Sequence, residues 1–288
     1  MSLQDQPPFD RIAIVGLGLI GGSIALAVRE RWSSVLVTAV DRPAVLAHAS
    51  SSGAIDRTAA SVADIGTTDL VILAAPVRQN VQLLTRVALV LSAGAVVTDV
   101  GGTKRDIVDA AASLAPGSAT FIGGHPIGGA ERGGFGFARP DLFRGKPWIF
   151  TPTGASGADV DRLFQFAQGV GARPITMKAD EHDRVMAFIS HLPQLASSAL
   201  MDVVGHAASM DGLGLSGRGL TDSTRLASSP ASLWREVCAS NADNIGVALD
   251  ALIAKLQALR GDLENGATVE TIFDEAARWR AELMRGRE

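Results

Sequence analysis

The sequence has 288 residues, a formal net charge of −4 and a pI near 5.8, with 47% apolar and 19% charged residues. Length and apolar content suit one large folded domain or two smaller ones, and the weak acidic balance gives no support for nucleic acid or an anionic membrane as a partner. The single cysteine, Cys238, cannot form an internal disulfide, which indicates a reducing, cytoplasmic compartment.

The first half of the sequence alternates short apolar runs with helical patterns. The uncharged stretch 12–28 is interrupted by glycines and follows acidic and proline residues, so we interpret it as a strand, a turn and a helix, not as a membrane segment. Repeated strand–helix alternation predicts an α/β fold with a doubly wound, Rossmann-like parallel sheet. The predicted strands begin at Arg11, Ser34, Asp69, Ala95, Ala119, Lys146 and Ala172.

The pattern changes after Met177, where no further strand is predicted. Three long helical stretches cover residues 180–209, 229–266 and 268–288, so an all-α domain follows the sheet. We place the boundary between the two domains after residue 177, with residues 178–288 forming the second. The long central helix carries few charges, and we expect its apolar face to be buried against a second copy in a homodimer.

The stretch GLGLIGGS places Gly16, Gly18 and Gly21 between an apolar strand and a helix. This context makes the G-x-G-x-x-G spacing a prediction of a dinucleotide site, because the glycines allow a tight turn, close approach of a pyrophosphate and close helix packing. Leu19 and Ile20 lie in this motif just before the predicted helix over residues 23–31, whose N-terminal N–H groups favour an anion. Residues 1–177 are therefore the predicted dinucleotide-binding domain.

The residue that ends the second strand bears on the choice of cofactor. Asp41 lies twenty positions after Gly21 (41 − 21). A carboxylate there accepts hydrogen bonds from the adenosine ribose hydroxyls and repels a 2′-phosphate, which favours NAD. Arg42 could hold such a phosphate, so NADP stays open.

Ligands of open α/β sheets lie beyond the carboxyl ends of the strands, which makes residues 74–79, 99–104 and 123–129 candidates. His125 belongs to the third segment, and a neutral imidazole is a suitable base for a hydroxyl proton. His191 is a second candidate, because Pro193 breaks its helix and turns side chains into a cavity. For the other three histidines we expect surface or packing roles: His48, His182 and His206. Within these segments, the residues that we expect to contact the cofactor are Ala75, Pro76 and Gly101.

Four motifs in this order carry a family resemblance: GLGLIGGS, HPIGGAE, SHLPQ and TDSTRLASSPASLW. Together they resemble the prephenate/arogenate dehydrogenase family of tyrosine biosynthesis over nearly the whole chain. The first motif is generic, and the other three are specific. The resemblance implies NAD-dependent oxidative decarboxylation of prephenate or L-arogenate, with hydride leaving C4 and CO2 leaving C1, to give 4-hydroxyphenylpyruvate or tyrosine.

The same resemblance implies site residues. His125 would be the base for the C4 hydroxyl, and Arg225 would clamp a substrate carboxylate, for which a guanidinium has the bidentate geometry. Trp234 would line the pocket in the helical substrate and dimerisation domain. No metal is expected. The remaining matches are the acidic positions Glu131 and Asp222, which border the site, and the pair His191 and Gln194 in the broken helix.

The chain departs from the family at two positions. Many members have a serine where this chain has Gly102; either Thr103 or a water takes its place, or His125 is less well oriented. Some prephenate-specific members have a second histidine at the position of Gln194, and glutamine cannot become cationic. The substrate therefore stays open among prephenate, arogenate and, as an alternative, 4-amino-4-deoxyprephenate.

Other classes share the first domain. β-Hydroxyacid dehydrogenases rely on a lysine in a G-x-x-x-K-type helix after the sheet, and we find no matching lysine, since Lys178 precedes its helix in an acidic run. Pyrroline-carboxylate reductases are a related rival. A non-catalytic, NAD-sensing protein is the alternative that is not an enzyme. This alternative stays open because Gly102 stands where many family members have a serine.

Overall fold

The computed structural model describes residues 6–114, 119–129 and 132–285. The chain divides into two compact units, residues 1–241 and 242–288. The boundary that we place after residue 177 lies inside the first unit and stays a prediction. Within the described ranges, no helix is long and apolar enough to cross a membrane.

The first unit contains an eight-stranded sheet in the order β3-β2-β1-β4-β5-β6-β7-β8. Neighbouring strands run parallel, except that β6 pairs antiparallel with β7. The mostly parallel, doubly wound sheet confirms the predicted fold class. The strands are β1 (Arg11–Val15), β2 (Leu36–Val40), β3 (Arg57–Thr58), β4 (Leu70–Leu73), β5 (Val96–Asp99), β6 (Thr120–Pro126), β7 (Pro147–Thr151) and β8 (Arg173–Thr176).

Helices cover both faces of the sheet. Along β1, Ile12 and Ile14 join a core cluster that includes residues of α1 and α5, whereas Ala13 and Val15 join a second cluster with α3 and α4. This double burial explains the continuous apolar run of β1, because a strand between two helical layers has no solvent face. The helices are α1 (Leu19–Arg31), α2 (Pro43–Ser51), α3 (Val77–Ala88), α4 (Arg105–Ala112) and α5 (Gly157–Gly169).

After the sheet the described chain is helical, as predicted. The stretch 180–209 is not one continuous helix: a π-helical segment, Ala187–His191, separates two α-helices. Pro193 accounts for the break, because its ring lacks an N–H and clashes with the carbonyl four residues earlier. The helices of this part are α6 (Ala179–Met186), α7 (Leu192–Leu213), α8 (Arg218–Ser223) and α9 (Ala231–Ser240).

The second unit consists of α10 (Ala242–Gly261) and α11 (Ala267–Arg285). None of the described residues of α11 is buried. Phe273 is 67% exposed and Trp279 is 63% exposed. The predicted helix over 229–266 is interrupted at Asn241, which separates α9 from α10.

Candidate active site

In the turn after β1, close contacts leave no room for a side chain at two of the glycines. Gly16 has φ +99°, and a Cβ there would lie 2.6 Å from the carbonyl oxygen of Ala74. At Gly21 a Cβ would lie 1.9 Å from the oxygen of Gly16. Larger residues would push α1 away from the turn. By contrast, a Cβ on Gly18 would meet no atom within 4 Å, so the outer side of the turn is open to a ligand.

A carboxylate borders this turn at the end of β2. Asp41 Oδ2 accepts a hydrogen bond from Leu17 N (2.5 Å), and Oδ1 accepts one from Arg42 N (2.6 Å). The Arg42 side chain is exposed, with Nε 3.8 Å from Asp41 Oδ1. Leu19 and Ile20 open α1, whose first N–H groups lack a side-chain cap. The turn, the free N–H groups and the fixed acid fit a dinucleotide.

The loops after β4 and β5 lie at the same edge of the sheet as the glycine turn. Ala75 N donates to Asn80 Oδ1 (3.1 Å), and Pro76 immediately precedes α3. Gly101 N donates to Asp99 Oδ2 (2.8 Å). These side-chain acceptors fix the backbone of both loops. The predicted cofactor residues of the two loops therefore have defined positions at one edge of the sheet.

His125 belongs to β6 and is half-buried. Its Nδ1 lies 2.9 Å from Nε2 of His182, and Nδ1 of His182 lies 2.7 Å from Oδ1 of Asp183. His182 is fully buried, which excludes a surface role. The sequence pattern that indicates this burial is the helical spacing of residues 182, 183 and 186, which form the buried face of α6.

Asp183 also accepts backbone hydrogen bonds from the start of α4. Lys104 N donates to Oδ1 (2.7 Å) and Arg105 N donates to Oδ2 (3.0 Å). Burial by itself raises the pKa of Asp183, but the hydrogen bonds from His182 and from the two backbone N–H groups lower this pKa below its ordinary value. Asp183 is therefore an ionised, buried carboxylate.

Lys104 forms a buried ion pair with Asp99 and donates to the carbonyl of Gly124 (2.7 Å). Asp99 Oδ1 accepts from Gly124 N (3.0 Å). Burial lowers the pKa of Lys104, and the charges of Asp99 and Asp183 oppose that shift. The ion pair fixes the backbone one residue before His125. From the sequence, Lys104 and Asp99 are only members of the candidate segment 99–104, without a specific role.

Gly102 faces the other nitrogen of His125. A Cβ at Gly102 would lie 4.0 Å from His125 Nε2. Thr103 is buried, and its hydroxyl pairs with Ser240 Oγ (2.9 Å). A contact of Thr103 with the substrate stays a prediction.

His191 follows the π-helical turn and is buried. Its Nδ1 lies 3.3 Å from Asn241 Nδ2, and its ring is edge-on to half-buried Trp234 with centroids 5.9 Å apart. Burial lowers the pKa of His191 to about 4; Asp183 opposes the shift and His182 adds to it. His191 is therefore neutral near pH 7.

The amide of Gln194 is occupied within the protein. Nε2 donates to Leu226 O (2.7 Å) and to Ser198 Oγ (3.2 Å), and Oε1 accepts from Ser229 Oγ (3.1 Å). Gln194 is buried. Gln194 ties α7 to the segment that follows Arg225, and its predicted role in substrate binding stays a prediction.

Arg225 begins a 3₁₀ turn, Arg225–Ser228, and is exposed. It lines a cavity of about 670 Å³ together with Gly129, in the loop after His125. Two further arginines, Arg132 and Arg139, line the same cavity, which gives it a cationic wall. Asp222 is exposed on α8. Glu131 lies outside the described residues.

The glycine turn, the acid after β2 and the histidine at the carboxyl edge of a mostly parallel sheet define a nucleotide-binding protein of the Rossmann type. Residues 24–176 match the family model "Prephenate dehydrogenase, nucleotide-binding domain", and residues 178–274 match "Prephenate dehydrogenase, dimerization domain". The chain belongs to the prephenate dehydrogenase family.

Curated relatives agree with this assignment. The chain is 33% identical to the prephenate dehydrogenase of Bacillus subtilis (strain 168) over 88% of this chain and 70% of that protein. It is 30% identical to the cyclohexadienyl dehydrogenase of Zymomonas mobilis subsp. mobilis, over 88% of each.

Solved structures give the same result. The prephenate dehydrogenase from A. aeolicus in complex with hydroxyphenyl propionate and NAD+ has a TM-score of 0.87 and 29% identity, over 95% of this chain and 98% of that one. The Synechocystis arogenate dehydrogenase has a TM-score of 0.80 and 26% identity, over 95% and 99%. A 3-hydroxyisobutyrate dehydrogenase from Salmonella typhimurium, at 18% identity and TM-score 0.57, shares the fold alone.

Proposed function

We propose that this protein is an NAD-dependent dehydrogenase that oxidatively decarboxylates prephenate, or L-arogenate, to 4-hydroxyphenylpyruvate or tyrosine. The observation that carries the proposal is the histidine network at the carboxyl edge of the sheet, where His125 stands next to the predicted dinucleotide loops. The relatives named prephenate, cyclohexadienyl and arogenate dehydrogenase support it.

The residues of this chain have distinct tasks in that reaction. Bound NAD supplies the hydride acceptor. His125 Nε2 takes the C4 hydroxyl proton as hydride leaves C4. The bond from C1 to the carboxylate then breaks, its electron pair enters the ring, and the oxygen on C4 regains a proton in the aromatic product. Arg225 holds a carboxylate in the cationic cavity, where a guanidinium gives paired, charge-assisted hydrogen bonds.

The cofactor preference rests on Asp41. Its carboxylate is fixed by two backbone N–H groups at the edge of the glycine turn, which favours ribose hydroxyls over a 2′-phosphate. We therefore propose NAD as the preferred cofactor, with NADP as the weaker one. A kcat/KM for NADP equal to or above that for NAD would contradict this preference.

Activity on three substrates tests the proposal. The protein is incubated with NAD and, separately, with prephenate, L-arogenate or 4-amino-4-deoxyprephenate, and reduced cofactor and aromatic product are measured. We expect turnover with prephenate or arogenate. Turnover with the amino analogue alone would favour the aromatic amine pathway. NAD binding without turnover on any of the three would favour a non-catalytic, NAD-sensing protein.

A His125→Asn variant is the matched control for this assay. It removes the base at Nε2 but leaves the glycine turn and Asp41 intact. We expect the loss of most of kcat, of the order of 10²–10⁴-fold, with NAD affinity retained in calorimetry. Unchanged turnover would remove His125 from the mechanism.

We also propose that the protein works as a homodimer in the cytoplasm. The match of residues 178–274 to a dimerization domain supports the dimer, and so do the exposed apolar side chains of α7 and α11, among them Val203 and Phe273. The single cysteine supports the reducing compartment.

A further inference from the structure

We propose that His182 is a positioning residue that fixes the protonation pattern of His125, with the proton on Nδ1 and the lone pair on Nε2. The proposal rests on the proposed function in one respect, namely that His125 acts as the base. It assigns a role to a histidine whose side chain reaches the reaction only through His125.

The pattern follows from counting donors and acceptors. Asp183 is an ionised carboxylate and can only accept, so the proton on its 2.7 Å contact with His182 belongs to His182 Nδ1. A neutral imidazole has one N–H, which leaves a lone pair on His182 Nε2. The 2.9 Å contact between the rings then needs a proton from His125 Nδ1. His125 Nε2 is left unprotonated, facing the space beside Gly102.

Burial favours this pattern over its reverse. In the reverse pattern, His182 would be doubly protonated and would donate to His125 Nδ1. Two ion pairs lie near the two rings, Lys104 with Asp99 and Arg105 with Asp183, and the nearby ring of His191 is neutral near pH 7. His182 is fully buried, so a doubly protonated ring there would lose its hydration.

The network also has a consequence during the reaction. When His125 takes a proton at Nε2 it becomes an imidazolium, and its Nδ1–H still donates to His182 Nε2. The carboxylate of Asp183, one ring further away, stabilises that charge through His182. The proton stays on His125; His182 holds the ring orientation and tautomer and does not carry the proton to solvent.

A matched pair of variants tests the role. His182→Gln extends an amide oxygen that can accept from His125 Nδ1, whereas His182→Met has similar length and no such acceptor. We expect His182→Met to lower kcat about 10²-fold, the upper range measured for groups that orient metal-bound histidines, with KM and NAD affinity within about threefold. His182→Gln should restore kcat to within about tenfold of the wild type. Equal kcat in the wild type and His182→Met, or equal loss in both variants, would overturn the proposal.

The tautomers can be read in the wild-type protein, which covers the case in which the Met variant does not fold. Long-range ¹H–¹⁵N spectra at pH 7 distinguish the ring nitrogens of the five histidines. His48→Asn and His206→Asn remove the signals of two exposed rings. We expect His125 and His182 both to be neutral with the proton on Nδ1. A proton on His125 Nε2, or a doubly protonated His182, contradicts the proposal. Because no substrate is needed, a failure of the proposed function leaves this result decisive.

Discussion

His125 lies among groups that disfavour its cationic form. Burial, reinforced by the positive charge of Lys104, lowers its pKa well below the ordinary value of 6.5. A base must be neutral to work, so a lowered pKa keeps His125 active at lower pH. An unperturbed imidazole would lose activity as the pH falls through about 6–7.

We therefore expect kcat/KM of the NAD complex to stay level from pH 8 down past 6.5 and to fall only below it. The measurement is a pH profile with each sample returned to pH 7.5 to check that activity recovers. A half-maximal point at or above 6.5 would show that the network leaves the imidazole unperturbed.

Gly102 offers a second test at a single residue. A serine there would place its hydroxyl within reach of His125 Nε2, whereas an alanine would place only a methyl group 4.0 Å away. We expect Gly102→Ala to lower kcat/KM about tenfold, equivalent to about 1.4 kcal/mol, because the methyl group excludes a polar partner. Gly102→Ser should equal or exceed the wild type. Identical kinetics in the two variants would mean that this space has no part in the reaction.

The site residues that belong to a sequence motif could be predicted from the sequence. Gly16, Gly21 and Asp41 have a spacing that follows from local backbone geometry. The contacts of His182 with His125 and of Lys104 with Gly124 follow no local spacing, because these partners are 57 and 20 residues apart in the sequence. Only the folded sheet brings these groups together.

Secondary-structure elements also differ in whether the sequence predicts them. The strand β1 could be predicted because double burial imposes a continuous apolar run. The antiparallel pairing of β6 with β7 could not be predicted, because the direction of a strand depends on the segment that connects it to its neighbour. In the described part of this connection, residues 127–129 and 132–146, there is a single 3₁₀ turn and no α-helix. Pro193 indicated a helix break but did not specify a π-helical turn.

The link between α7 and the arginine segment can be tested through Gln194. Gln194→Met removes the hydrogen bonds to Leu226 and Ser229 and leaves buried polar atoms unpaired, at a cost of about 1–3 kcal/mol. We expect KM for the substrate to rise at least tenfold, because Arg225 adjoins Leu226, with a smaller change in kcat.

Ser198→Ala is the control for this variant. It removes one acceptor of the Gln194 amide but leaves the bond to Leu226 O in place. Its KM should stay within twofold of the wild type. If Gln194→Met also keeps the wild-type KM, the amide does not hold Arg225 in position.

Helices in both units of the molecule expose large apolar side chains. Val203 is 65% exposed on α7, and Phe273 and Trp279 are exposed on α11. We expect light scattering at micromolar concentration to give twice the chain mass of 29.9 kDa. A mass of one chain under these conditions would remove the homodimer from the account.

A crystal structure with NAD and 4-hydroxyphenylpropionate, whose ring carries the oxygen that prephenate has at C4, tests the proposed chemistry most directly. We expect the phenolic oxygen within about 3.2 Å of His125 Nε2, with the cofactor on the Gly16–Gly21 turn and the ligand in the cavity lined by Arg225. A phenolic oxygen held by other groups, with the imidazole of His125 turned away from the ligand, would contradict it.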